Sequence, residues 1–449
     1  MYRYEELAND IERRIKNYKF KPGKKLPSIR ALSDMYNCSK ATAIKAYEEL
    51  KKRHIIYAVP QSGYYIVEEL LANSDRDMSI IDFSTGTPRI DELPNNDFKH
   101  CMNRALDIYS HTALHPDIEG TESLRRLLVK YLREYQVFTS YKNIFINLGI
   151  QQVLTLLSEM PFPNNKDVIL IEEPTYAMYV MFLKQANVKT MTIARDENGI
   201  DLDVLESLFK TENIKFFYTA PRHHNPLGTC YTKETRKKIA ELAQTYDVYI
   251  VEDDYLAEMD FDVRYDPVYS YGDHKHHIYL KSFSKIIPWI RIGLCVMPTH
   301  LIDLFWQYKR KNYYYSYVAS SILAQATLEI FIKNNMINSH INELKKQYSD
   351  RIECLKAEIA KIDHLPEGCK WTYGSGYYSY IKLPDNINEK QLISNLEKKN
   401  VKIRSGDIYY LNPSSYEKGI RICIARANSK QIKRGIPIIV SEIEKMISE

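Results

Sequence analysis

The sequence predicts an α/β protein in two parts: a small helical head closed by a hairpin, then a large body on a mostly parallel sheet with helices on both faces. Three observations carry this. From Ile81 onward, nearly continuous apolar runs alternate with amphipathic stretches, as expected of strands buried on both faces. The unusual polar residues stand just after those runs. Ahead of Ile81, residues 1–67 hold 14 Lys and Arg against 7 Asp and Glu, whereas the rest of the chain carries 48 against 50. The excess positive charge therefore belongs to the head, where it suits a polyanion.

In the head, Leu7, Ile11 and Ile15 recur every four residues and predict a helix from Tyr4 to Asn17. KPG at 21–23 breaks the chain, and Pro27-Ser28 opens a short helix that runs to Tyr36. A tight turn at 37–39 leads into a third helix, KATAIKAYEELKKR. HIIYAVPQSGYYIVEE then reads as two short strands around a turn at Gln61–Gly63. The polar stretch 68–79 reads as a linker. Strands of the body are expected in NIFINLG (143–149), DVILIEEP (167–174), IKFFYTAP (214–221), DVYIVEDD (247–254), HIYLKSFS (277–284) and IGLCVMP (292–298). The expected domains are 1–67 and 80–449, the latter split into a large subdomain of about 100–315 and a smaller α+β subdomain of about 316–449.

With 449 residues, 45% hydrophobic and 27% charged, the chain has ordinary globular chemistry and room for two or three domains. No apolar run approaches a membrane span, and MYRYEELANDIERR is too polar for a signal peptide. The seven cysteines are scattered with no CxxC pair, which fits a reducing cytoplasm without disulfides or a zinc site.

Helix, helix, turn, helix, hairpin is the order of a winged helix-turn-helix. With Leu26-Pro27-Ser28-Ile29-Arg30 in its second helix and Ser39-Lys40-Ala41-Thr42 opening its third, the head resembles the GntR group of DNA-binding domains. Ser39 and Thr42 sit where a helix N-terminus can meet phosphate, with Lys40 and Lys45 on the groove side. Arg30 and the wing tip, Gln61 and Ser62, complete the expected contacts to a double-stranded DNA operator. A solvated basic bundle would carry the same charge, but not the motif and the element order as well.

In the body, GIQQ follows the first run, EEPTY the second, HHNPLG the third, EDDY the fourth and SFSK the fifth. Five motifs converge on the carboxyl edge of one sheet, where open parallel sheets bind ligands. Lys285 can form a Schiff base with an aldehyde when part of its amine is deprotonated. Asp253 can hold a pyridine nitrogen protonated, with the adjacent Asp254 as the alternative. Tyr255 and Asn225 can reach a ring hydroxyl, and Tyr176 offers a stacking face. Gly149, Ile150 and Gln151 open a helix whose N–H groups attract phosphate, joined by Ser282, Ser284 and Arg291. Together these match the groups of pyridoxal 5′-phosphate. Singly, Asp253 would be a turn acid and Lys285 a surface lysine, as its neighbour Lys281 is read.

The motifs S-x-S-K-x-x-P-x-x-R-x-G (282–293), N-P-x-G (225–228), E-x-P-x-Y (172–176) and E-D-D-Y (252–255) resemble those of fold-type I, class I aminotransferases across residues 81–449. Joined to the head, the chain resembles the MocR/GabR family of transcriptional regulators over almost its full length. The resemblance implies a homodimer with each cofactor site near the subunit interface. It also implies an arginine near the C-terminal end that grips an α-carboxylate. Arg421 matches the aminotransferase position and is favoured; Arg426 matches the one some regulators carry. The implied function is a regulator that senses an amino acid, an amine or a vitamin B6 vitamer through Lys285. A working aminotransferase with an incidental head is the alternative, and a third reading makes the cofactor itself the signal. His115 replaces a family tyrosine that reaches the partner subunit's phosphate, and Tyr135-Gln136-Val137 replaces Arg-Gly-Val. His274, His276 and His277 read as a solvated loop and not as a metal site. NYYYSY (312–317) reads as core or interface.

Overall fold

The computed structural model describes residues 3–16, 23–67, 79–89, 95–109, 117–259, 266–316, 319–362, 365–374 and 376–448. The chain divides into two compact units, Met1–Ser79 and Ile80–Glu449. The expected 68–79 linker, apart from Ser79, lies outside the described residues, as do His115 and the NYYYSY side chains beyond Asn312.

The head packs three helices, α1 (Arg3–Lys16), α2 (Ile29–Met35) and α3 (Lys40–Lys52), against a hairpin of β1 (Ile56–Val59) and β2 (Gly63–Ile66). Leu7 and Ile11 are buried with Leu32, Ala46, Tyr47, Leu50, Ile56 and Ile66. The four-residue spacing read from the sequence thus forms the apolar stripe of α1. Ser28 caps α2 by accepting the Ala31 N–H, and Ser39 caps α3 by accepting that of Thr42. The Tyr47 hydroxyl donates to the Pro27 carbonyl at 2.8 Å and ties α3 to the entry of α2. The hairpin pairs Ile56 with Ile66 and Val59 with Gly63, and Gln61 takes a left-handed φ of 60° in its turn.

The body begins with β3 (Ile81–Asp82), α4 (Asn95–Tyr109) and α5 (Glu122–Arg133). Its sheet is formed by β4 (Ile144–Asn147), β5 (Val168–Glu173), β6 (Thr190–Asp196), β7 (Gly199–Ile200), β8 (Ile214–Thr219), β9 (Tyr249–Asp253), β10 (His277–Ser282) and β11 (Gly293–Val296). The strand order is β4-β11-β10-β9-β8-β5-β6-β7. The run from β10 through β9, β8 and β5 to β6 is parallel. β11 runs antiparallel to both neighbours. The reason is length: the connection from β10 to β11 is too short for a crossover helix, so the chain must return beside the strand it left.

Alternate residues of each strand serve opposite faces. Ile169, Ile171, Phe216, Tyr218, Tyr249 and Val251 share a core with the helices α6 (Ile150–Glu159) and α7 (Ala177–Ala186). Leu170, Phe217 and Ile250 pack on the other side with α8 (Leu202–Thr211) and α9 (Lys233–Thr245). Helices α10 (Ile302–Ser316), α11 (Ile322–Lys333) and α12 (Met336–Ala360) lead to the C-terminal layer. There β12 (Lys370–Tyr373), β13 (Tyr378–Lys382), α13 (Glu389–Lys398), β14 (Val401–Lys402), β15 (Arg404–Ser405), β16 (Gly419–Cys423) and α14 (Ser429–Ser448) follow. Its four-stranded sheet has the order β12-β13-β16-β15, and β14 pairs in parallel with β3. Ile81 and Phe83 are therefore part of the C-terminal core.

Two side-chain readings are corrected. Lys281 is not a surface lysine: it is wholly buried, salt-bridged to Glu258 at 2.8 Å and set over the Tyr135 ring. Its odd position in β10 points it at the same face as Tyr279, whereas Lys285 stands beyond the strand end. His277 is not in a solvated loop either. It is buried at the start of β10, and burial brings its imidazole down to about 3, so it is neutral. His276 lies between Asp273 at 2.9 Å and Asp247 at 3.0 Å.

Candidate functional site

The body contains a cavity of about 230 Å³ at the carboxyl edge of the parallel strands. Lys285 lines it, and so do Gly149, Ile150, Gln151, Tyr176, Asn225, Asp253, Tyr255, Ser282, Ser284 and Arg291. Every cofactor-site candidate read from the sequence is therefore brought to one place.

Lys285 sits in the turn after β10. Its amine donates to the Gly86 carbonyl at 2.6 Å and to the Tyr378 hydroxyl at 3.1 Å. Burial is the main reason its amine falls to about 8, with the Arg421 cation adding to the shift. Across the cavity, Asp253 ends β9 on the α6–α7 face. Tyr218 donates to its Oδ2 at 2.8 Å, and its Oδ1 is buried with no hydrogen-bond partner among the described residues. Burial pushes this carboxyl up to about 7, and the neighbouring Asp254 charge adds to the rise. Asp254 itself is taken: Arg222 pairs with it at 2.6 Å and Tyr279 donates to it at 2.6 Å. The geometry thus favours Asp253 over its neighbour for any group in the cavity.

The anion end is built by close backbone approach. Gly149 caps α6 with a φ of 80°, a conformation suited to glycine. A Cβ on Gly293 would stand 2.6 Å from the Gly149 carbonyl carbon, so only glycine lets β11 start against the first turn of α6. Ser282 accepts the Ser284 N–H at 3.2 Å, and Arg291 adopts a left-handed φ of 44° at the cavity wall. Tyr176 is the N-cap residue of α7. The Tyr255 hydroxyl donates to the His223 carbonyl, which leaves its oxygen able to accept.

Of the two C-terminal arginines, Arg421 is buried in β16, stacked on Tyr378 at 4.8 Å and on Tyr409 at 5.6 Å. It donates to the Ser84 carbonyl and, at 3.4 Å, to Asn225 Oδ1, and its Nε is buried without a hydrogen-bond partner among the described residues. Arg426 is half-buried and donates to the Thr87 carbonyl at 3.0 Å. Thr87, Tyr218 and Tyr378 also line the cavity, and sequence reading passed over all three. Tyr218 had a signal, its place at the end of the IKFFYT strand; Thr87 and Tyr378 had none.

Beneath the site, Glu172 of the E-x-P-x-Y motif is fully buried. It pairs with Arg195 at 2.6 Å and accepts from Thr219 and Tyr231. Burial raises its carboxyl, but Arg195 and His224 outweigh that and hold it far below the usual range. This hub fixes the loop that carries Asn225.

In the head, Arg30, Ser39, Lys40, Lys45 and Gln61 are exposed, while Thr42 and Ser62 are half-buried. Ser39 Oγ and Thr42 Oγ1 bond each other at 2.8 Å, so the pair keeps one hydroxyl proton for an outside acceptor. Ser62 is bonded to the Tyr65 hydroxyl at 2.6 Å. Ile44 stands exposed on α3 beside Lys45.

An unpartnered buried carboxylate oxygen, a partly neutral lysine amine and a helix N-terminus around one cavity fit the ring nitrogen, aldehyde and phosphate of pyridoxal phosphate. Fold and site therefore define a pyridoxal-phosphate-binding body of the aminotransferase type. Comparison with known proteins agrees. Residues 78–439 match the family of aminotransferases class I and II, and residues 3–66 match the bacterial regulatory proteins of the gntR family. The chain is 39% identical to the uncharacterized HTH-type transcriptional regulator YcxD of Bacillus subtilis, over 99% of this chain and all of that one. It is 25% identical to aromatic-amino-acid aminotransferase 1 of Thermococcus litoralis, over 82% of this chain and 88% of the relative. Among solved structures, the multiple substrate aminotransferase of Thermococcus profundus superposes with a TM-score of 0.75 at 25% identity, covering 83% of this chain and 93% of that one. Kynurenine aminotransferase of Pyrococcus horikoshii, in complex with PMP, gives 0.74 at 25% identity, covering 82% and 92%.

The chain belongs to the aminotransferase class I and II family, here preceded by a gntR-type head, the arrangement of an HTH-type transcriptional regulator. Its cofactor is pyridoxal phosphate, and its head is a DNA-binding winged helix-turn-helix. Among the described residues no helix is long and apolar enough to cross a membrane, and no group of three His, Cys, Asp or Glu is placed to hold a metal ion.

Proposed function

We propose that this protein is a cytoplasmic, homodimeric regulator that reads an amino-group ligand in its body and reports it through the DNA-binding head. The observation that carries the reading is the meeting of Lys285, Asp253 and the α6 N-terminus in one cavity, on a chain whose excess of positive over negative charge lies in a winged helix. Lys285 is the covalent anchor. Asp253 Oδ1 holds the ring nitrogen, and Asn225 and Tyr255 hold the ring hydroxyl. Tyr176 stacks on the ring, and Gly149, Ile150, Gln151, Ser282, Ser284 and Arg291 hold the phosphate. When bound, the cofactor supplies an aldehyde that exchanges amines and a protonated ring that withdraws electrons. Arg421, buried without a carboxylate partner among the described residues, takes the ligand's carboxylate bidentately. In the head, Lys40, Lys45 and Arg30 contact phosphates with Ser39, Thr42, Gln61 and Ser62 around them.

Transamination is the second reading, supported by the same lysine, aspartate and arginine, since sensing and catalysis need identical groups. The test is DNA binding by the full chain, on duplexes it selects from a random library, with and without a panel of amino acids, amines and B6 vitamers. The proposal expects a salt-dependent affinity that at least one such compound shifts several-fold. An affinity indifferent to the whole panel would leave transamination as the better reading.

A further inference from the structure

Three cationic side chains, Lys285 in the cavity lining and Arg421 and Arg426 outside it, hold the backbone of one short segment. Arg421 donates to the carbonyl of Ser84, Lys285 to that of Gly86 and Arg426 to that of Thr87. The segment is pinned at both ends. Upstream, Phe83 is fully buried, donates its N–H to Lys402 and accepts that of Cys423. Asp82 accepts the N–H groups of Ser84 and Thr85 at 2.9 and 3.1 Å, and Arg426 lies 3.9 Å from its other oxygen. Downstream, Arg426 holds Thr87, which lines the cavity.

A neutral carbonyl is a poor partner for a buried guanidinium. A carboxylate would satisfy Arg421 with two charge-assisted bonds and reach the Nε that has no partner among the described residues. The Ser84 carbonyl already occupies part of that fork, so a ligand carboxylate must displace it. We propose that Ser84–Thr87 is a resident competitor for the carboxylate site, and that Arg426 is a positioning residue that holds this competitor in place and does not bind ligand. This rests on the reading of Lys285 and Arg421 given above and deepens it. Arg421 favours amines bearing a carboxylate, and the seated segment reduces that preference, because such ligands must first displace Ser84. Their apparent affinity is lowered by the fraction of molecules in which the segment is seated. An amine without a carboxylate meets Lys285's end of the site and leaves the Arg421 contact alone.

The test uses the full chain loaded with cofactor and two probes that differ by one group, 2-aminoisobutyrate and isopropylamine. The amino acid carries no α-hydrogen, so its binding is read from the visible absorbance at equilibrium without turnover. Arg421→Gln is expected to weaken 2-aminoisobutyrate at least tenfold more than it alters isopropylamine, whose response reports the loss of the Arg421 cation beside Lys285. Arg426→Gln unseats the competitor and is expected to tighten 2-aminoisobutyrate about three- to tenfold, with isopropylamine unchanged. Circular dichroism of both variants checks that the body is folded. If Arg426→Gln weakens 2-aminoisobutyrate or leaves it unaltered, the competitor is refuted, and weakening assigns Arg426 to the carboxylate instead. If neither probe alters the absorbance of the unsubstituted protein, the reading of the site fails and this inference with it.

Discussion

The amine of Lys285 offers the sharpest quantitative test, with pH as the perturbation. Burial, with help from Arg421, brings this amine from an ordinary 10.5 down to about 8. At pH 7 an amine of that pKa is neutral in about one molecule in eleven, against about one in three thousand for an ordinary lysine. Lys285 should therefore be a nucleophile roughly 300-fold more available than a free lysine side chain at neutral pH. The assay is capture of pyridoxal phosphate by cofactor-free protein in the presence of cyanoborohydride, with the Lys285 peptide quantified by mass spectrometry across pH 6 to 10. The sign follows from the lowered value: below about 8 the amine gains neutral fraction tenfold per pH unit, and above it the gain stops. The expected profile rises and then levels near pH 8. A rate still climbing a decade per unit beyond pH 9 would refute the argument from burial, and label spread over other lysines would refute the anchor.

Three further outcomes follow from the geometry. Asp253→Asn removes the carboxylate whose Oδ1 has no partner among the described residues and should weaken cofactor binding by roughly 10- to 100-fold, read by absorbance titration; an unchanged affinity would show that the ring nitrogen lies elsewhere. Glu172→Gln strips the partner from the buried Arg195 and should cost about 3–5 kcal/mol in urea unfolding of the body, where a change under 1 kcal/mol would contradict the hub described here. Lys40→Ala, at the start of α3, should flatten the slope of log affinity for DNA against log salt by about one unit, and an unaltered slope would remove Lys40 from the phosphate contacts.

The sequence by itself determined the two-part organisation, the strands and the cofactor candidates, because each depends on local physics. Apolar runs name buried strands, Ser28 and Ser39 announce helix starts, and polar residues after strands must collect at one sheet edge. Tertiary structure alone decided which side chains face one another. Lys281 and Lys285 are four residues apart in similar company, yet one is buried against Glu258 and the other opens on the cavity, because strand alternation governs the first and a turn the second. Asp253 and Asp254 are equal as letters, and only Arg222 and Tyr279 tell which is already satisfied. The contacts of Lys285 with Gly86 and Tyr378 join residues 199 and 93 positions apart. No periodicity spans such distances, so Thr87, Tyr378 and the carbonyls of Ser84–Thr87 come to light only when β3, the body's first strand, folds back beside β14.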